Sequence, residues 1–131
     1  MLTAEAIMTE ALVTIHSEAS ITDAIELLIS KSISGLPVID HHGRLVGVIT
    51  EFAMLAMVYD HEVRNQTVGQ HMTREVITVN ADDPISRIAD LCIVHRVRRL
   101  PVMRDGKLVG LIARRDVLQA LYQNSAKACL A

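Results

Sequence analysis

The chain has 131 residues, 50% of them hydrophobic and 21% charged, a composition that can bury a core and excludes disorder and low complexity. It has three aromatic residues, Phe52, Tyr59 and Tyr122, and no Trp, which leaves little from which to build the stacking surface of a single-strand nucleic-acid binder. The net charge of -2 hides a split: residues 1–65 carry three bases and nine acids, residues 66–131 ten bases and six acids.

The N-terminus, MLTAEAIMTE, carries acids where a secretory or transit peptide would carry Lys or Arg, so a cytoplasmic location is expected. A β-branched run over Leu12–Ile15 predicts a strand, and the spacing of Ile21, Ala24, Ile25, Leu28 and Ile29 predicts a one-sided helix that Ser20 can cap. Two strands follow, Leu36–Ile39 and Leu45–Ile49, joined by a tight turn, and a short helix begins near Glu51. The order then recurs. Val76–Val79 predicts a strand, and Asp83-Pro84 opens a helix through Ile85, Ile88, Ala89, Cys92 and Ile93, with Asp83 as N-cap. Strands at Leu100–Met103 and Leu108–Ile112 flank Asp105-Gly106, a two-residue hairpin signal, and a closing helix begins near Arg114. The longest stretch without Asp, Glu, Lys or Arg runs ten residues, Val117 to Ala126, against the roughly 18 apolar residues of a membrane span.

The recurrence is a repeat. A shift of 64 lays Met8-Thr9 on Met72-Thr73 and Leu36-Pro37-Val38 on Leu100-Pro101-Val102; after one deletion, a shift of 63 lays Gly43 on Gly106 and Leu45-Val46-Gly47 on Leu108-Val109-Gly110, with fifteen identities over 47 positions in all. The expected fold class is α+β: two β-α-β-β-α repeats, 1–62 and 63–131, packed as a pseudo-twofold pair. A unit of about 50 residues buries too little surface to stand alone, so two equivalent clefts between the copies are expected.

The patterns Ile7-Met8-Thr9, Ile33-Ser34-Gly35-Leu36-Pro37-Val38-Ile39-Asp40, Gly43-Arg44-Leu45-Val46-Gly47-Val48-Ile49-Thr50-Glu51 and His95-Arg96-Val97-Arg98-Arg99-Leu100-Pro101-Val102 resemble tandem cystathionine β-synthase (CBS) domains over residues 3 to 123. The resemblance implies a Bateman module, a non-catalytic regulatory pair that binds adenosine-containing ligands, often dimerises, and commonly rides on an enzyme, channel or transporter. AMP, ADP or ATP is the ligand expected, with NAD and S-adenosylmethionine less favoured.

Family sites follow a Gly-x-x-(Thr/Ser)-x-x-Asp pattern at the junction of last strand and last helix. A hydroxyl and free amides at a helix start suit a phosphate, and a carboxylate one turn on can take both ribose hydroxyls. Each copy keeps half of it: Gly47 to Ala53 has Thr50 but Ala53 in the Asp position, and Gly110 to Asp116 has Asp116 but Ala113 in the Thr position. As structural residues alone, Thr50 would be an N-cap and Asp116 a first-turn acid, each contributing ~0.5–1 kcal/mol.

For the second copy the resemblance implies that Ile77 and Val97 hold the base beside the Arg98 backbone, that Leu111 lines the pocket with Ala113, that Asp116 holds ribose, and that Arg114 lies near the phosphates. For the first it implies Val13, Ile33, Ser34, Val48 and Thr50, a weaker site without its carboxylate. Arg96, Arg98, Arg99, Arg114 and Arg115 are the candidate phosphate readers, with Arg99 able to reach the first copy's cleft; the alternative is that they cover a sheet edge or face solvent.

A homodimer through the closing helices is expected from Met54, Leu55, Met57, Val58, Val117, Leu118, Leu121 and Tyr122, which is also the basis of a competing reading, a ligand-free interaction module. Nucleic-acid binding through the arginines is opposed by the acidic first half. Catalysis is not expected: no nucleophile motif and no paired carboxylates stand out. Six histidines show no helical metal spacing, so no metal is expected, and Cys92 and Cys129 lack a CxxC spacing, so no disulfide is expected.

Overall fold

The computed structural model describes residues 1–130, and side chains through Ser125; Cys129, one of the two cysteines considered above, falls outside the described side chains. In chain order the elements are α1 (Ala4–Ile7), β1 (Ile15–His16), α2 (Ile21–Lys31), β2 (Gly35–Ile39), β3 (Leu45–Thr50), α3 (Glu51–Met57), α4 (His61–Arg64), α5 (Val68–His71), β4 (Val79–Asn80), α6 (Ile85–His95), β5 (Arg99–Arg104), β6 (Lys107–Ala113) and α7 (Arg114–Leu130). The architecture is α+β, with two three-stranded sheets ordered β1-β2-β3 and β4-β5-β6. In each, the short first strand is parallel to the second and the second antiparallel to the third, with one irregularity at the same aligned place, Val38/Ile39 and Val102/Met103.

The chain divides into two compact units, one of residues 13–76 and one of residues 1–12 with 77–131. The first buries Ile15, Ile21, Ala24, Leu28, Leu36, Val38, Ile49, Met54 and Val68 in its core. The second buries Ala4, Val79, Ala81, Ile85, Ile88, Cys92, Leu100, Val102, Ile112 and Val117. The N-terminal segment is thus an integral part of the unit built mainly from the second repeat. Ala4 is fully buried there, the Ala4 and Glu5 N–H groups donate to the Asp83 and Ala81 carbonyls at 2.9 Å, and Glu5 pairs with Arg104 at 2.7 Å.

Local chemistry accounts for the element ends. The Ser20 hydroxyl accepts the Asp23 N–H at 3.0 Å while the Asp23 carboxylate accepts the Ser20 N–H, a reciprocal cap that stabilises α2 by about 1 kcal/mol. Asp105 and Gly106 both have positive φ, 51° and 78°, the backbone that a two-residue hairpin needs in order to match strand twist. The equivalent turn in the first unit is longer. There the Asp40 carboxylate accepts the His42 and Arg44 N–H groups, each at 2.9 Å, and these bonds, Arg44's foremost, hold the carboxyl below its ordinary pKa.

Several expectations are corrected. The strands placed at Leu12–Ile15 and Val76–Val79 begin later and are two residues long, because only Ile15-His16 and Val79-Asn80 find ladder partners. Asp83 is not the N-cap of α6: Pro84 takes that place, and the Asp83 carboxylate instead accepts the Asn80 N–H at 2.8 Å and lies 3.6 Å from Arg87. Ile29 and Ile93, at one aligned position, are each 73% exposed rather than on the buried faces of their helices. The short helices α1, α4 and α5 lack the hydrophobic period that marks longer ones, although Asp60 caps α4 and Thr67 with Gln70 forms a capping box on α5.

Candidate ligand site at the strand-to-helix junctions

In the unit carrying the second repeat, β6 runs directly into α7. Ala113 ends the strand opposite Arg99 in the β5–β6 ladder, and the Arg114 N–H donates to the Arg98 carbonyl at 2.8 Å. The segment before β5 and the start of α7 are therefore fastened side by side, which brings Arg98, Arg99, Ala113, Arg114 and Arg115 together. Asp116, partly buried, is the third residue of α7, one turn from the strand end. Leu111 sits in β6 opposite Pro101, and on the strand's other edge its backbone exchanges two hydrogen bonds with Thr9, at 2.8 and 3.0 Å. Ile77 and Val97 are partly buried against the core of this unit.

The first repeat's unit has the same construction with different side chains. Thr50 ends β3 opposite Gly35, the Glu51 N–H donates to the Ser34 carbonyl at 2.9 Å, and the Thr50 hydroxyl accepts the Ala53 N–H at 3.3 Å as the N-cap of α3. Val48 lies opposite Pro37 and exchanges two hydrogen bonds with Thr73, both 2.9 Å; Val13 and Ile33 pack against this unit's core. Ala53 therefore occupies the helical position that Asp116 holds in α7. Thr-x-x-Asp has the spacing of a capping box, and here the hydroxyl stands in one unit and the carboxylate in the other.

The role of Met8 and Met72 was not legible in the sequence beyond their recurrence. Each methionine lies over the glycine that opens the junction motif. A Cβ on Gly47 would stand 2.7 Å from the Met72 Sδ and 2.8 Å from the Thr73 carbonyl oxygen, and one on Gly110 would collide with Met8. Glycine is required at both places so that the methionine, and at Gly47 the Thr73 carbonyl as well, can close on the strand.

Cys92, on α6, is buried and free. Burial pushes its thiol pKa up, and the positive charge of Arg114 opposes that shift. Among the described residues no group of three His, Cys, Asp or Glu side chains is arranged to hold a metal ion, and no helix is long and apolar enough to cross a membrane.

The closing helices require one further correction. Met54 and Val117, assigned to an exposed stripe, are 5% and 3% exposed and belong to the two cores. Met57 and Leu121 are partly buried against the same cores. The large apolar side chains that remain open on and just after these helices are Phe52, Leu55, Tyr59, Leu118 and Tyr122, with Val58 at the margin.

Comparison with known proteins agrees with this construction. The chain is 30% identical over 115 residues to the uncharacterized protein MJ1225 of Methanocaldococcus jannaschii, covering 88% of this chain and 41% of the relative. It spans only 21% and 23% of two further relatives from that organism, an L-aspartate semialdehyde sulfurtransferase and an inosine-5'-monophosphate dehydrogenase. Among solved structures, CBSX2 of Arabidopsis thaliana in complex with AMP matches with a TM-score of 0.83 and 33% identity, covering 94% of this chain and 98% of that one. The CBS domain pair of protein MJ0100, in complex with 5'-methylthioadenosine and S-adenosyl-L-methionine, matches with a TM-score of 0.79 and 29% identity over 94% and 98%. The CBS-domain profile matches residues 4–60 and 68–123: the chain belongs to the CBS-domain family and carries two such domains in tandem.

Proposed function

We propose that the chain is a regulatory module that binds an adenine nucleotide of the AMP, ADP or ATP type, its two repeats (1–62 and 63–131) acting together as a sensor of energy or metabolite state. The observation that carries this is the β6–α7 junction. A partly buried carboxylate, Asp116, follows Arg114 and Arg115 in the first turn of α7, and the Arg114 N–H is bonded to the Arg98 carbonyl, so a candidate ribose acceptor shares one junction with residues able to donate to phosphates. Two homologous pairs were solved with AMP and with S-adenosyl-L-methionine and 5'-methylthioadenosine, which supports an adenosine-containing ligand here. In this reading Ile77 and Val97 hold the base beside the Arg98 backbone, and Leu111 lines the pocket with Ala113. Thr50, Val13, Ile33, Ser34 and Val48 form the weaker counterpart, and Arg99 serves the phosphates. No catalytic step is assigned to the chain; it would act in the cytoplasm on a regulated enzyme or transporter.

A ligand must favour one arrangement of the protein over another to act as a signal. Thermal unfolding against AMP, ADP, ATP, NAD and S-adenosylmethionine is the direct test. A ligand at about a hundred times its dissociation constant should stabilise the fold by ~2.7 kcal/mol. An adenine nucleotide should give the largest shift, and no shift with any of the five would sink the nucleotide reading.

One observation favours a homodimer, either alongside ligand binding or as the chain's whole role. Leu55 and Leu118, 64% and 68% exposed, and Tyr59 and Tyr122, 87% and 73% exposed, are the same two positions of the two repeats. Apolar patches repeated in this way suit a symmetric contact with a second copy. Because Met57 and Leu121 support the cores, the informative substitutions are Leu55→Asp and Leu118→Asp. Light scattering should give a dimer for the parent and a folded monomer for the double variant, and a monomeric parent at micromolar concentration would refute the dimer.

A further inference from the structure

Each compact unit carries a packed pair of helices, α2 with α3 in the first repeat's unit and α6 with α7 in the second's. Both pairs leave large apolar side chains open to solvent: Ile29, Phe52 and Leu55 on one, Ile93, Leu118 and Tyr122 on the other. Their charges differ. α2 and α3 carry Asp23, Glu26 and Glu51 against one base, Lys31, whereas α6 and α7 through Ser125 carry Arg87, Arg114 and Arg115 against Asp90 and Asp116. Asp23 and Arg87 are engaged locally, by Ser20 and Asp83. Glu26, Glu51, Arg114 and Arg115 are exposed, and none of them enters an ion pair among the described residues. Glu51 and Arg114 align between the repeats, and each stands one helical turn before an open leucine, Leu55 or Leu118.

We propose that two copies of the chain join crosswise: the α2–α3 face of one protomer seats on the α6–α7 face of its partner, and a twofold axis repeats the contact with the roles exchanged. The inference rests on the dimer reading above and adds to it which face meets which. Apolar burial does not choose between the possible pairings, because Ile29 and Leu55 align with Ile93 and Leu118 and either face covers the other as well as it covers itself. Charge does choose. In a like-with-like dimer, Glu26 and Glu51 face their own copies and Arg114 and Arg115 face theirs, so both contacts gather charges of one sign; in the crosswise dimer, acids meet guanidinium groups. Asp90 aligns with Glu26, so the contrast lies mainly on α3 and α7. Phe52 adds to it, since it stands where the second repeat has Arg115, and an aromatic ring against a guanidinium is a favourable contact that like-with-like pairing does not supply. The acidic first half and basic second half of the chain thereby acquire a role: they reject one of two arrangements that apolar contact alone would leave equal.

Sedimentation of the full chain without nucleotide, at about 50 mM salt so that screening is modest, tests this with charge reversals. An exposed ion pair is worth up to about fivefold in an association constant, and like charges cost a similar factor. Glu26→Lys with Glu51→Lys turns the first face basic. In the crosswise dimer that face then meets Arg114 and Arg115, and dimerisation should weaken by at least about tenfold; in a like-with-like dimer it meets its own reversed copy, and dimerisation should match the parent. Adding Arg114→Glu and Arg115→Glu to the same chain should restore the crosswise dimer, and the recovery also shows that the reversed surfaces remain folded. A Glu26→Lys, Glu51→Lys chain that dimerises as tightly as the parent would overturn the crosswise pairing and leave the dimer standing. Failure of the fourfold variant to regain the dimer would overturn the pairing as well. A parent chain that is monomeric under these conditions would overturn both.

Discussion

Asp116→Ala is expected to remove most of the chain's nucleotide affinity while leaving the fold nearly as stable as before. A carboxylate that accepts both ribose hydroxyls makes charge-assisted hydrogen bonds of roughly 1.5–3 kcal/mol each before desolvation is subtracted. Asp116 is only partly buried, so the subtraction is moderate, and a loss of about tenfold to a hundredfold in affinity is expected. As a first-turn acid of α7, the same side chain contributes ~0.3–1 kcal/mol through the helix dipole. The two roles therefore separate by measurement: calorimetry reads the first and urea unfolding the second. One nucleotide per chain is expected for the parent at moderate ligand concentration. Ala53→Asp places a carboxylate at the equivalent position of α3, where Thr50 already caps the Ala53 N–H, and should recruit a second molecule. If Asp116→Ala binds as well as the parent, the ribose assignment is wrong.

What the sequence made legible was whatever depends on neighbours along the chain. Ser20 is a cap because Asp23 lies three residues on, and Asp105-Gly106 turns the hairpin because both residues accept positive φ. The junction motifs were legible for the same reason, since strand, hydroxyl or carboxylate and helix start all fall within seven residues. What was not legible depends on distant partners. Ile29 and Ile93 fit the helical period, yet the cores are already filled by Leu28 and Cys92 beside them, leaving both isoleucines exposed. The dimer stripe read from the closing helices mixed two populations, because periodicity alone cannot say that Met54 and Val117 belong inside. The chain's crossing between units was equally hidden. Met8-Thr9 recurs as Met72-Thr73, but nothing local says that Thr9 pairs with Leu111 and Thr73 with Val48.

That hidden pairing sets the largest stability effect expected from a single added methyl group, Gly47→Ala. Gly47 is buried in β3, and a Cβ there meets the Met72 Sδ at 2.7 Å, the Thr73 carbonyl oxygen at 2.8 Å and the Met72 Cγ at 2.9 Å. All three distances are too short for a carbon to be accommodated without movement. A methionine end can swing aside, whereas the Thr73 carbonyl belongs to a backbone that exchanges two 2.9 Å hydrogen bonds with Val48. Moving it adds lost hydrogen bonds, about 0.5–1.5 kcal/mol each, to the ~1–3 kcal/mol of an overpacked core. Gly110→Ala is the built-in control. There the three atoms nearest the added Cβ all belong to the Met8 side chain, its Sδ closest, with Cγ at 2.8 Å and Cβ at 3.1 Å. Urea unfolding should show Gly47→Ala to be the costlier change, by about 1–2 kcal/mol. Met8→Ala should relieve much of the Gly110→Ala cost in a double-mutant cycle. Met72→Ala should relieve Gly47→Ala only in part, because the carbonyl remains. Equal costs for the two glycines, or complete rescue of Gly47→Ala by Met72→Ala, would mean that the Thr73 backbone yields freely and that its pairing with β3 contributes little to the unit's stability.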